Sequence, residues 1–340
     1  MKKFVLVLIS VISIVVFCLV FASVAQESKG EPVKIIFSEA TTPIEASVQA
    51  CFIFEEEAER LSGGTIVVDF YHSGQLVSQT DQQVACMDGG IDMTLTSIQW
   101  IAEFMPELAV LGTPFNFRDG EHGYKFWNES EVGKELIEKI AEETNTRILG
   151  SYLYGTRQIT TTEKAGPVRS PADLKGKNFR MPGTPLWLAI GHSLGCDPTP
   201  VDSSEAYIAL QTRVVVGVDM PLNQMISLKL YEPTKYTSLS NHLVSMLLPI
   251  INEDKWKSLT PQQQGWIKEA AMKMINTAHK SYVGAFEKDI AFLKDNGQII
   301  IEDVDKDAFM EFSRNYFLAE GAEFSKNWDW DLFDRVQAVK

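Results

Sequence analysis

Two side-chain patterns in this chain are suited to chemistry: a serine set between glycines, and two arginines beside turn residues. Gly191-His192-Ser193-Leu194-Gly195 has the spacing of a nucleophile elbow, and Asp219 and His242 follow in the chain order of a hydrolase triad. An elbow serine needs a strand before it and an unbroken helix after it. Pro198 and Pro200 would break that helix, and no HGGG-type oxyanion segment lies upstream. Trp187, Ile190 and Leu194 share one helical face instead, which makes Gly195 a C-terminal stop. A periplasmic serine hydrolase using Ser193 therefore stands behind a binding function.

The arginines suggest that function. Arg157 follows Tyr154-Gly155-Thr156, read as a turn after a strand, and Arg180 ends a strand before Met181-Pro182-Gly183. Open α/β sheets bind ligands at the carboxyl ends of their strands. A guanidinium grips a carboxylate with two parallel hydrogen bonds. The competing reading of each is a salt-bridged surface arginine. There is no HExxH, P-loop or dinucleotide glycine motif, and the five histidines have no ligand spacing. No metal and no cofactor is expected.

The elements that must position these side chains alternate. Strands are predicted at residues 33–37, 65–71 and 91–95, with helices between them from Thr42-Pro43 to Leu61 and over 81–87. Ser62-Gly63-Gly64 and Gly89-Gly90 punctuate the helices. A second rhythm follows, with strands at 148–153, 158–163, 178–181 and 214–218. Short helices are predicted at 170–174, 185–194 and 203–212. Residues 236–251 form a long β-rich run, interrupted at Asn241-His242 and Pro249, that is long enough to cross between two lobes. Helices fill 253–296, and 299–301 is a late strand. This order argues for a mainly parallel sheet with covering helices.

The 340 residues suggest about two domains, and a 45% hydrophobic fraction supports burial without staples. Lys2-Lys3, an apolar run over 4–22 and Ser23-Val24-Ala25 read as a signal peptide cleaved after Ala25; a retained anchor is the rival reading. Cleavage takes the net charge from −14 to −16. An acidic chain argues against nucleic acid as partner. It leaves room for an anionic ligand, because screening confines repulsion to roughly 8 Å at physiological salt. Cys51, Cys86 and Cys196 form no CxxC pair. Cys51 and Cys86, both on predicted helices, either pair in an oxidising compartment or are buried thiols like Cys196.

The segment Ser170-Pro171-Ala172-Asp173-Leu174-Lys175-Gly176-Lys177-Asn178-Phe179-Arg180-Met181-Pro182 resembles the DctP-type solute-binding subunit of TRAP transporters. So do Asp197-Pro198-Thr199-Pro200-Val201, Glu205 to Thr212 and Gly155-Thr156-Arg157-Gln158. The resemblance implies an α/β two-lobed periplasmic binding fold of type II-like form, with a hinge, a central ligand cleft and a long helix spanning both lobes. It places lobe I at residues 32–154 plus about 246–285 and lobe II at 155–245 plus about 286–332. It puts the carboxylate-gripping arginine on Arg180 and an assisting arginine on Arg157. Where the family usually reads Q-E-N-P, this chain has Val218-Asp219-Met220-Pro221, so Met220 replaces a contacting asparagine, and Asp219 or Asn223 is expected to supply polar contacts. Glu39 and Ser97 sit where the first lobe usually faces the ligand, with Trp100, Phe115 and Trp187 as further candidates. The implied function is capture of a small organic acid, a uronate-like sugar acid first, by a monomer that serves the small and large membrane subunits. Alternatives are a binding protein of an ATP-driven importer for dicarboxylates or keto acids, and a sensing module that feeds a membrane receptor.

Overall fold

The computed structural model describes residues 31–319 and 325–340. The amino-terminal segment read as a signal peptide lies outside the described residues. Ten strands form one sheet with helices on both faces.

The first half of the sheet holds β1 (Val33–Ser38), β2 (Ile66–Tyr71), β3 (Met93–Thr96) and β4 (Thr146–Ile148). β1 pairs in parallel with β2 and β3. The helix Ala46–Ser62 begins four residues later than the Thr42-Pro43 signal and stops at Gly63, whose φ of 60° takes the left-handed turn a side chain would oppose. It packs with the 23-residue helix Pro261–Val283 over Ile35, Phe37, Phe54 and Ile66. Pro261 starts that long helix behind a Thr260–Gln263 capping box.

The second half holds β5 (Tyr152–Thr161), β6 (Asn178–Met181), β7 (Asp197–Pro200), β8 (Gly217–Pro221) and β10 (Ile299–Ile301). β6 pairs in parallel with β7 and β8. Joining the halves is β9 (Tyr236–Asn252), which pairs antiparallel with β3, β4 and β5 and in parallel with β10. The sheet is thus mixed, with parallel flanks around an antiparallel centre, because β9 and β5 cross between the halves. Pro249 does not interrupt β9, since it stands opposite Leu95. At Asn241, φ +48°, residues 239–242 stand opposite the single Gln158.

Two further predictions need correction. The expected turn at 154–157 is part of β5, kinked by a bulge between Leu153 and Gly155, so Arg157 lies within a strand rather than after one. The expected spanning helix is broken at Gly284-Ala285. Pro261–Val283 serves the first core, and Phe286–Asp295 packs with Met225, Leu230 and Leu293 in a separate core of the second half. Cys51, Cys86 and Cys196 are free and buried, and Cys51 and Cys86 belong to different core clusters.

Candidate functional site

The carboxyl ends of β1, β3 and β6 converge on a cavity of about 90 Å³, closed from below by β5 and β9. It is smaller than a 290 Å³ cavity on the far side of the crossing strands, which carries only acidic charge, yet it gathers Arg157, Arg180 and Glu39. Across its mouth, Gln79 Oε1 accepts from the Ser203 amide (3.3 Å) and hydroxyl (3.2 Å), and the Thr80 hydroxyl donates to Asp202 at 3.2 Å.

Arg180 is the penultimate residue of β6, with 1% of its surface exposed. Its Nε donates to the Val201 carbonyl at 2.7 Å, while Nη2 is buried with no partner. Among the described residues no carboxylate forms an ion pair with it. Burial, and then the Arg157 charge, depress its pKa to about 9. A guanidinium without a counter-ion in such a place is what a bound anion would stabilise.

Arg157 is differently committed. Its Nε donates to Asp219 Oδ1 at 2.8 Å and Nη2 donates to the Asp219 carbonyl, while the guanidinium lies 4.5 Å from the centre of the Trp187 ring. Asp219 Oδ1 also meets His242 Nε2 at 3.0 Å, and His242 Nδ1 meets the Ser240 hydroxyl at 2.8 Å. A carboxylate only accepts, so Nε2 carries the proton toward it. Burial would raise the Asp219 carboxyl, but Arg157 and His242 outweigh it and hold the pKa at about 2. The strand geometry brings this about. Residues 239–242 bulge from β9 and carry Ser240 and His242 to β8, while the bulge in β5 brings Tyr154 and Arg157, three apart, to the same cavity.

The opposite wall is acidic and amide-rich. Glu39, just past β1, is 5% exposed; its Oε1 accepts from the Thr41 amide at 3.2 Å and hydroxyl at 3.1 Å, and Oε2 has no hydrogen-bond partner. Burial raises its carboxyl to about 7 against the pull of Thr41, Ala40 and Leu95. Glu45 accepts from the Tyr154 hydroxyl at 2.5 Å; burial and the Glu39 charge bring it also to about 7, against the Tyr154 hydrogen bond. Gln82 Oε1 and both polar ends of the Gln83 amide are buried without partners.

Of the predicted site residues, Arg180, Arg157, Glu39 and Ser97 line this cavity, with Trp100 and Trp187. Asp219 lies behind Arg157 rather than on the wall. Met220 is fully buried in the second-half core, because strand alternation turns residues 219 and 220 to opposite sides. Asn223 faces the larger cavity across the sheet, and Phe115 packs against the main core. Sequence reasoning missed Tyr154, Gln82 and Gln83 on the wall, and Glu45 behind Tyr154. A polar Ser240-Asn241-His242 step inside an apolar strand was the visible signal for the Asp219 network. Ser193 is fully buried in the helix Pro185–Leu194, its hydroxyl donating to the Ile190 carbonyl at 2.8 Å and accepting from Ser313 at 3.2 Å. His242 and Asp219 contact each other, without Ser193.

Two lobes, crossing strands and a charged cleft define a periplasmic solute-binding fold. Residues 37–320 match the DctP family model, bacterial extracellular solute-binding protein family 7, and the chain belongs to that family. Its members and structural neighbours are substrate-binding proteins rather than enzymes. The chain is 32% identical over 223 residues, 66% of its length and 67% of the relative's, to the 2,3-diketo-L-gulonate-binding periplasmic protein YiaO of Escherichia coli. A TRAP periplasmic solute-binding protein from Roseobacter denitrificans with bound 3-deoxy-D-manno-oct-2-ulosonic acid superposes with a TM-score of 0.85. It shares 27% identity and covers 91% of this chain and 100% of its own. Another, from Pseudomonas putida with bound D-glucuronate, gives 0.81 at 28% identity, covering 91% and 98%.

Proposed function

We propose that this protein, exported and cleaved after Ala25, captures a sugar-acid-like monocarboxylate in the periplasm and delivers it as a monomer to the TRAP membrane subunits. The observation that carries the reading is the buried, unpaired Nη2 of Arg180 in the cavity. A ligand carboxylate completes that guanidinium. Arg157 stands beside it, fixed by Asp219 and Trp187, and lines the cavity as an assisting arginine whose charge Asp219 already balances. The lobes divide at residues 154–155, about 245–246 and about 285–286, and these crossings form the hinge. Closure drives the carboxylate from water into a drier cleft, where the charge pair strengthens. A ligand favours closure only as far as it binds the closed form more tightly. The sugar acids bound by the relatives support this ligand class, and the buried Ser193 supports a binder over a hydrolase.

Calorimetry with D-glucuronate and 3-deoxy-D-manno-oct-2-ulosonate on wild type and Arg180→Ala tests the proposal. Truncation should weaken binding by about 2–5 kcal/mol, roughly 30- to 5000-fold, by leaving a buried carboxylate unpaired. Weakening below about tenfold removes Arg180 from this role.

A further inference from the structure

We propose that Glu39 sets ligand specificity: its free carboxyl oxygen accepts from a hydroxyl or ammonium group at the far end of the ligand and turns away acids that carry a second carboxylate there. The inference rests on the carboxylate reading of Arg180 and extends it to the other wall.

The cavity is electrically lopsided. Arg180 and Arg157 stand on the β5–β6 side; Glu39, Gln82 and Gln83 stand on the β1–β3 side. Arg157 is matched by Asp219, so one guanidinium is left for the ligand. No lysine or arginine of the described residues pairs with Glu39. Its neighbour Glu45 is a second buried acid, already tied to Tyr154 and adverse to any further negative charge.

The hydrogen-bond inventory agrees. Thr41 occupies one oxygen of Glu39 and leaves Oε2 buried and unmatched, so the site lacks a donor there. A ligand hydroxyl or ammonium supplies one. A second carboxylate supplies none, and no group on that wall carries the positive charge it needs. A monocarboxylate with donors leaves the closed cleft balanced, carboxylate against Arg180 and donor against Glu39. Above pH 7, where Glu39 and Glu45 give up the protons that burial holds on them, a dicarboxylate buries an uncompensated negative charge beside both, and such juxtaposition is costly in a dry site. Gln83, with both ends of its amide unmatched, serves flanking donors or acceptors, and Gln82 Oε1 accepts from a further donor.

The test uses ligands matched in carbon skeleton, at pH 8, above the Glu39 value of about 7. Binding of D-gluconate against D-glucarate, and of 4-hydroxybutanoate and 4-aminobutanoate against succinate, is measured by calorimetry on wild type, Glu39→Gln and Arg180→Ala. Wild type should take D-gluconate, and 4-hydroxybutanoate or 4-aminobutanoate, at least about a hundredfold more tightly than the matching diacid. Glu39→Gln, which keeps shape and removes the charge, should narrow the gap by about tenfold or more. The preferred probe identifies the donor as hydroxyl or ammonium. Wild type that binds a diacid as tightly as its monoacid, through Arg180, overturns this proposal and leaves the carboxylate reading standing. A gap unchanged by Glu39→Gln, in a variant that melts as wild type does, also overturns it. Failure of every acid to bind, or binding indifferent to Arg180→Ala, overturns both.

Discussion

Asp219→Asn removes one charge and almost no volume from the most enclosed ion cluster of the site. Asp219 is 1% exposed and holds Arg157 Nε at 2.8 Å and His242 Nε2 at 3.0 Å. An amide keeps the shape but leaves the Arg157 guanidinium buried without a counter-charge. Removing one partner of a buried pair costs about 3–5 kcal/mol, and the variant should lose that much at pH 7 by urea unfolding followed through tryptophan fluorescence. Acid offers a second readout. The Asp219 carboxyl titrates near 2 in the folded protein against an ordinary 3.8. The folded state therefore resists protonation, and stability from this group is present above pH 3.8 and lost as pH falls toward 2. At about 1.36 kcal/mol per pKa unit this is worth about 2 kcal/mol. Wild type should lose it between pH 4 and 2 relative to the variant, which has no carboxyl to titrate. A variant within about 1 kcal/mol of wild type at pH 7, or a parallel acid limb, refutes the claim that Asp219 neutralises Arg157 in the interior. Sulfate, an anion able to replace the missing charge, should stabilise the variant more than wild type.

Glu39 and Glu45 act in the opposite direction. Both are raised to about 7, so the folded protein keeps protons that the unfolded chain releases near 4.5. Their contribution is full below about pH 4.5 and lost by pH 7–8. The melting temperature should fall by several degrees from pH 5 to pH 8, and Glu45→Gln should flatten the fall in a calorimetric scan. Gly155→Ala should lower stability by about 2 kcal/mol in urea, since φ is +143° and a Cβ there would lie 2.7 Å from the Pro221 Cβ. The same substitution, two residues from Arg157, should weaken D-glucuronate binding in the same preparation.

Much of the fold was written locally. Gly63 and Gly195 stop their helices because only a residue without Cβ takes φ of 60° or 99° easily, and Thr184 caps the helix that Pro185 opens. Period-2 and period-3.6 patterns placed β1, β2 and β6 within a residue or so. Arg180 was legible as a candidate from its place near a strand end before Pro182-Gly183, and the resemblance of Arg180-Met181-Pro182 to the family segment put the ligand-gripping role on it. Arg157 was legible as a residue but misplaced in the chain geometry. Its strand is continuous, and a bulge opposite Met246 and Ser245 turns it, which depends on a partner strand some ninety residues away.

Residue types and spacing alone suggested two rhythms of strand and helix, the crossing run at 236–251 and the case against a Ser193 elbow, while the family resemblance singled out the two arginines over their reading as surface salt bridges. The tertiary structure decided which guanidinium is free. Arg157 and Arg180 are equal in sequence, but β8 and the excursion of β9 bring Asp219 and His242 to the first and leave the second unmatched. Pairing of buried charges is set by distances of a few ångströms between segments far apart in the chain, and no local pattern encodes those distances.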